Sequence, residues 1–378
     1  MRGTLKILAL LLAAQGAGAL LFAWSGLYNI GASKDHWAVT TSFIEFGMRN
    51  AIETHAMMVG PPPDLDDPAL IRRGAGHYEN GCAPCHGAPA APRNPISRHM
   101  LPAPPFLPDV VDDWTSEELY WITLNGIKMA GMPAWPARQR TDEPWAVTAF
   151  LRRLDGMDAE EYRRLAFGEA AADGESAMKE LEGLDRTVLE TCVRCHGYDG
   201  NGDGSGAFPR LSGQSAAYLH ESLRAYADGS RPSGIMQPPA AALNDAEMRA
   251  LAQYYAARPA PPPDTAGADP RLRELGAAIA ASGDPKRGVA ACSGCHGPGA
   301  PRDPRYPSLA GQYAGYIADQ LRLWRDGGRG DTGLSKIMGA AVRGLTDGQI
   351  QAVAAYYSAI PPSEDRRDTA DTRMPATK

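Results

Sequence analysis

The sequence predicts an all-α chain, with three small helical domains in tandem behind one N-terminal transmembrane helix. Three observations carry that expectation. The pentapeptide Cys-X-X-Cys-His occurs at Cys82–His86, Cys192–His196 and Cys292–His296 and uses all six cysteines. Two stretches recur, Phe208–Leu219 as Tyr306–Ile317 and Leu243–Tyr255 as Leu345–Tyr357, the mark of a duplicated unit. An uncharged run from Ile7 to Trp24 follows Arg2 and Lys6. The length of 378 residues suits about two to three domains. A net charge of −6 argues against nucleic acid as a partner.

The apolar run approaches the length of a bilayer-spanning helix. Ala17-Gly18-Ala19 would also suit a processing site, so residues 1–30 read as a transmembrane anchor or, alternatively, a signal sequence. Leu20, Leu21, Phe22, Trp24 and Tyr28 continue the apolar pattern and favour the retained anchor. Either way everything after Ser25 is exported, which places the chain at a bacterial inner membrane with its domains in the periplasm.

Residues 31–66 form a juxtamembrane amphipathic segment. Trp37, Thr41, Ile44, Met48, Ala51, Ile52 and His55 share one side at helical spacing, with Phe43 and Phe46 flanking. Packing on the first domain, lying on the membrane surface and docking to a membrane partner all remain open for it. The domains are expected at 67–157, 184–260 and 271–362. A linker at 158–183 and a proline-rich linker at 261–270 separate them, and a charged tail at 363–378 reads as disordered. In the first domain Gly74 lets another helix approach while Tyr78 fills the contact. The closing helix from Trp145 to Leu154 is the expected partner, through Trp145 and Phe150. In the repeats, Asn244-Asp245 and Thr346-Asp347 open the matching helix with N-cap chemistry.

The pentapeptide is the c-type haem attachment site: each thiol adds to a haem vinyl group and the adjacent histidine becomes an iron ligand. Three copies predict three covalently bound haem c groups on Cys82, Cys85, Cys192, Cys195, Cys292 and Cys295, with iron on His86, His196 and His296. Structural zinc is the rival. A zinc ribbon joins half-sites within a short segment and gives no reason for a histidine after the second cysteine each time. A disulfide framework fits poorly, since the chain is long enough to build cores without staples.

A histidine-bound iron keeps one open axial position, and its occupant decides between carrier and catalyst. Met236, in Gly234-Ile-Met-Gln-Pro, and Met338, in Lys336-Ile-Met-Gly-Ala, take equivalent places in the repeat. Met248 aligns with Ile350 inside the closing helix and reads as core. In the first domain Met132 competes with Met129 and, more distantly, Met100; Pro133 ends any helix and exposes the Met132 loop. His77, His99 and His220 hold no repeated position, which makes bis-histidine ligation the weaker reading.

Each domain follows the plan of a class I cytochrome c, and residues 184–362 resemble the diheme periplasmic cytochromes of the c4 class. The likeness lies in the Leu-X-Gly-Gln motif, the methionine loop and the Leu-X-Asp helix start. Residues 67–157 look like a generic class I domain without the Gly-Gln motif. There Gly131-Met-Pro-Ala-Trp135 resembles the class I methionine loop, which implies Met132 as the iron ligand. The resemblance also implies that each ligand histidine gives its other ring proton to a proline carbonyl. Pro209 and Pro307 are matched candidates, and the prolines at 102–105 leave the first choice open.

Three His/Met-ligated haems leave no vacant iron site, so the expectation is an electron-transfer protein and not an enzyme. It would carry single electrons in a periplasmic respiratory chain, from a quinol- or substrate-oxidising complex to a terminal oxidase or other acceptor. Its partners would be redox proteins (a membrane dehydrogenase, a quinol-oxidising complex or a terminal oxidase) and the membrane. One anchor with three haems is also similar to cytochrome subunits of membrane-bound alcohol and gluconate dehydrogenases. A haem enzyme, such as a peroxidase or a thiosulfate-oxidising cytochrome, would need an exchangeable iron position. A haem-based sensor would need a signalling domain, and none follows Pro362.

Overall fold

The computed structural model describes residues 2–89, 91–168, 174–181, 184–263, 269–297 and 303–362. The tail expected to be disordered, 363–378, lies outside them, as do 264–268 of the proline-rich linker. The regular elements among the described residues are helices, joined by loops with three isolated β-bridges.

Helix α1 (Arg2–Ser25) has a mean hydropathy of 2.0 over its most apolar stretch and buries no residue. It is long and apolar enough to cross a membrane. At its end Phe22, Tyr28 and Trp37 form an aromatic knot, with Tyr28 and Trp37 ring centroids 5.1 Å apart. Helix α2 (Ala38–Ala56) starts from that knot. Its last turns bury Ile52 and Ala56, stack His55 on Trp121 and hold Arg49 over the Trp114 ring. Packing on the first unit therefore holds for the C-terminal half. The N-terminal half leaves Trp37, Val39, Phe43, Ile44 and Phe46 exposed.

The first unit comprises α3 (Pro68–Gly81), the one-turn α4 (Ala83–His86), α5 (Pro95–Arg98), α6 (Ser116–Asn125), α7 (Asp142–Leu151) and α8 (Ala159–Phe167). Asp67 caps α3 by accepting from the Ala69 N–H, with Pro68 in the first turn. Where α3 crosses α7, a Cβ on Gly74 would lie 2.0 Å from the Ala146 carbonyl oxygen, so only glycine permits the approach. Tyr78 packs on Phe150 at 5.1 Å, as expected. Trp145 does not join them: it points to α6 and stacks on Tyr120 at 4.2 Å. The helical register explains this, because Ala146 and Phe150 share a face and Trp145 is turned about 100° from Ala146.

Residues 158–183, expected as a linker, contribute to two cores. In α8, Tyr162 is buried against Tyr78 and Phe150, and its hydroxyl donates to Glu79 at 2.5 Å. In the second unit α9 (Gly174–Glu180) and Leu181 bring Ala177 and Leu181 into the core with Leu251, Ala252 and Tyr255. Alanine and glutamate there signal helix, although the overall polarity resembled a linker.

The second unit continues with α10 (Arg186–His196), α11 (Ala216–Ala227), α12 (Gln237–Ala241) and α13 (Asp245–Ala256). The third has α14 (Pro270–Ser282), α15 (Ser293–His296), α16 (Ala314–Arg325), α17 (Ser335–Val342) and α18 (Asp347–Ser358). Asn244 with Glu247, and Thr346 with Gln349, form capping boxes at the expected helix starts. Gly276 repeats the Gly74 device, with its missing Cβ 2.0 Å from the Ala352 carbonyl.

The first and second units, and the second and third, are joined by different devices. Arg72 of α3 pairs with Asp203 at 2.9 Å, donates to the Arg194 carbonyl and lies over the Phe208 ring. Between the second and third units two glutamines reach across. Gln214 accepts from Ser308 N–H and donates to Ser308 O, both at 2.8 Å. Gln312 does the same with Arg210, both at 2.9 Å. Gly213 and Gly311, at φ 73° and 71°, make the left-handed turns that aim these side chains. The Leu-X-Gly-Gln repeat is thus a joint between units, and the first unit, which lacks it, docks by another face.

Candidate functional site

Each attachment motif occupies about one helical turn, which brings thiols at i and i+3 to one face. The three imidazoles are fixed alike. His86 Nδ1–H donates to Pro105 O at 3.0 Å, His196 to Pro209 O at 3.2 Å and His296 to Pro307 O at 3.1 Å. A carbonyl only accepts, so Nδ1 carries the proton and Nε2 is the unprotonated nitrogen of the ring, the ligand-type tautomer. Pro209 and Pro307 are the matched pair read from the repeat, and Pro105 is the member of 102–105 that serves the first unit. Burial lowers the pKa of His86 and takes His196 to about 4, against the opposing pull of the proline carbonyls. Both rings are therefore neutral at neutral pH, the form a metal ligand requires.

The cysteines are free thiols. Burial pushes Cys82 and Cys192 up to about 12 and Cys195 to about 11, and raises Cys292. A Cys-X-X-Cys oxidoreductase needs the opposite shift. Cys82, Cys192 and Cys292 pack against three different cores, and no cluster of three His, Cys, Asp or Glu suited to a metal ion occurs among the described residues. Among the described residues the zinc alternative therefore finds no second half-site.

The methionines separate by environment. Met129 adopts φ 62° and is 98% exposed, whereas Met132 is half-buried and bridges to Ile127. The Met100 methyl packs on Gly131 in the same loop. Met236 immediately precedes α12, and its N–H donates to Ser233 Oγ at 3.0 Å. Met338 lies in α17 against the third core, and Met248 is buried in α13 as core. Of the spare histidines, His77 packs on Trp135 at 4.8 Å, His99 Nδ1–H donates to Pro95 O, and His220 bonds to Asp245.

Whether haem suits these residues can be judged from two buried cations. Arg231 and Arg329 follow matching Asp-Gly turns in the repeat, are 5% and 6% exposed, and pair with no carboxylate among the described residues. Arg231 contacts Ser222 and Tyr316 and lies over Tyr226, while Arg329 bonds to Gln320 and lies over Trp324. An unpaired buried charge costs several kcal/mol, and haem brings carboxylates of its own. The donor set fits that group.

Sequence reasoning singled out none of Gln214, Gln312, Arg231 and Arg329 for these roles, although their recurrence in the repeat was the available signal. It also missed Glu143, 1% exposed, which nothing local marks.

Comparison with known proteins agrees with the chemistry. Residues 69–151 match the family model "Cytochrome C oxidase, cbb3-type, subunit III", and residues 186–256 and 275–359 match "Cytochrome c". A thiosulfate dehydrogenase electron acceptor of Stutzerimonas stutzeri is 37% identical over 197 residues, 52% of this chain and 90% of that protein. Cytochrome c4 of Thiocapsa roseopersicina is 37% identical over 172 residues, 45% of this chain and 86% of that protein. The crystal structure of reduced recombinant cytochrome c4 from Pseudomonas stutzeri is 30% identical, with a TM-score of 0.41, covering 50% of this chain and all of that one. With each motif histidine held by a proline carbonyl and a thiol pair beside it, the chain belongs to the multihaem class I c-type cytochromes, resembles the c4 class, and is an electron carrier with covalently bound haem c.

Proposed function

We propose that the chain is a membrane-anchored carrier with three haems, tethered by α1 with its haem units in the periplasm. His86 with Met132, His196 with Met236, and His296 with Met338 would hold the irons. Bound haem would supply one-electron iron chemistry, and these six residues would fill both axial positions of each iron. The chain's own residues fix the imidazoles, exclude water and hold the units against one another.

One observation carries the reading: the second cysteine of the attachment motif is exposed in the outer two units, whereas in the middle unit α3 of the first packs against it. Cys85 and Cys295 are exposed, while a Cβ on Gly76 of α3 would lie 3.3 Å from Cys195 Sγ. This supports the second unit as an internal relay, with partners meeting the first and third. The relative named a thiosulfate dehydrogenase electron acceptor supports a sulfur-oxidising donor. The first unit's likeness to an oxidase subunit supports a terminal oxidase as acceptor.

Two measurements test this. The denatured protein should exceed the polypeptide mass by three haems, and any other number removes the stoichiometry. Mixed anaerobically with thiosulfate dehydrogenase and thiosulfate, the chain should be reduced at all its haems. Failure to reduce it there, with reduction by quinol-oxidising enzyme instead, would replace the proposed donor.

A further inference from the structure

Glu143 belongs to α7 of the first unit, yet its partners lie on two methionine loops. Its Oε2 accepts from Trp135 Nε1–H at 3.0 Å and from Gly234 N–H at 2.6 Å. Its Oε1 accepts from Ser233 Oγ–H at 2.6 Å and faces Arg140 Nη1 at 3.0 Å. Trp135 follows Met132 in one loop, and Ser233 and Gly234 precede Met236 in the other. Ser233 Oγ in turn accepts from the Met236 N–H. A short chain of bonds thus runs from the first unit's carboxylate to the backbone of the second unit's methionine.

The indole lies flush on this loop, since a Cβ on Gly234 would sit 2.2 Å from Trp135 Nε1. Arg140 ties in the remaining side by donating to Pro232 O at 3.1 Å while pairing with Asp142. Every group facing the carboxylate is a donor, and a carboxylate is the side chain that only accepts. An amide could match the four only by turning its own N–H groups toward donors.

We propose that Glu143 is a positioning residue for the second unit's iron ligand: the first unit sets the Met236 loop through Glu143 and Ser233, with Trp135 as the contact between the two methionine loops. This rests on the reading of Met236 as a ligand. The second haem's ligation, and hence its potential, then depends on the docking of the first unit.

The test uses the full-length holoprotein with Glu143→Gln, Ser233→Ala and, as a milder change, Trp135→Phe. Redox titration, the sulfur-to-iron charge-transfer absorption and hydrogen exchange of the Gly234 and Met236 amides are read together. Glu143→Gln and Ser233→Ala should shift one potential of the three, weaken the absorption, and speed exchange at those amides by about tenfold. Trp135→Phe should speed exchange at Gly234 with all haems retained. Unchanged potentials and exchange in all variants would overturn the inference. Met236→Ala separates the two readings: if it too leaves every potential unchanged, the ligand assignment fails, and if it alone shifts one, only the role of Glu143 fails.

Discussion

At Gly74 a missing side chain is what lets two helices touch, because any Cβ there lies 2.0 Å from the Ala146 carbonyl oxygen. Gly74→Ala should destabilise the first unit by about 1–3 kcal/mol through overpacking, read as a lower denaturant midpoint. Met236→Ala should leave the haem attached while its potential falls and the iron opens to small ligands; three unchanged potentials in a redox titration would reject Met236. His77 sets a pH limit. Burial lowers its pKa from 6.5 to about 4, so the unfolded chain takes up this proton first as pH falls. Stability from this site is complete above about 6.5 and drains away towards pH 4, by roughly 3 kcal/mol at most. Unfolding midpoints should fall across that window, and less steeply in His77→Gln.

Among the elements, the legible ones announced themselves chemically. The capping residues Asn244 and Thr346, the crossing glycine Gly74 and the attachment turns each use a residue type that few alternatives replace, so their structural role follows from identity alone. What stayed hidden depends on partners distant in sequence. Nothing in Asp142-Glu143-Pro144 reveals a carboxylate aimed at residues 233–234, and the polar composition of 158–183 concealed Tyr162 and Leu181, which become buried only against the finished units. Trp145 and Phe150 look alike in sequence as partners for Gly74 and Tyr78, but only the helical register separates them, and it turns Trp145 onto Tyr120 of α6. Between units, Arg72→Ala should loosen α3 from the second unit, since it leaves Asp203 and the Arg194 carbonyl without this donor. Faster protease cutting within 158–183 would report it.

Across the whole molecule, the aromatic knot of Phe22, Tyr28 and Trp37 ties the end of α1 to the start of α2, and through α2 to the first unit, so the proposed anchoring is testable by removing α1. Replacing α1 by a cleaved export signal should move the chain from the membrane to the soluble periplasmic fraction with its haem content intact. Retention in the membrane would mean that the exposed apolar half of α2 anchors as well. The glutamine joint has a consequence of another kind. The peptide linking Pro209 to Arg210 offers its carbonyl to His196 and its N–H to Gln312, and the Pro307–Ser308 peptide does likewise for His296 and Gln214. Each imidazole is thus braced by an amide encoded in the opposite repeat. A lesion at Gln312 should register spectroscopically at the haem carried by Cys192, and one at Gln214 at the haem carried by Cys292: the damage shows up next door.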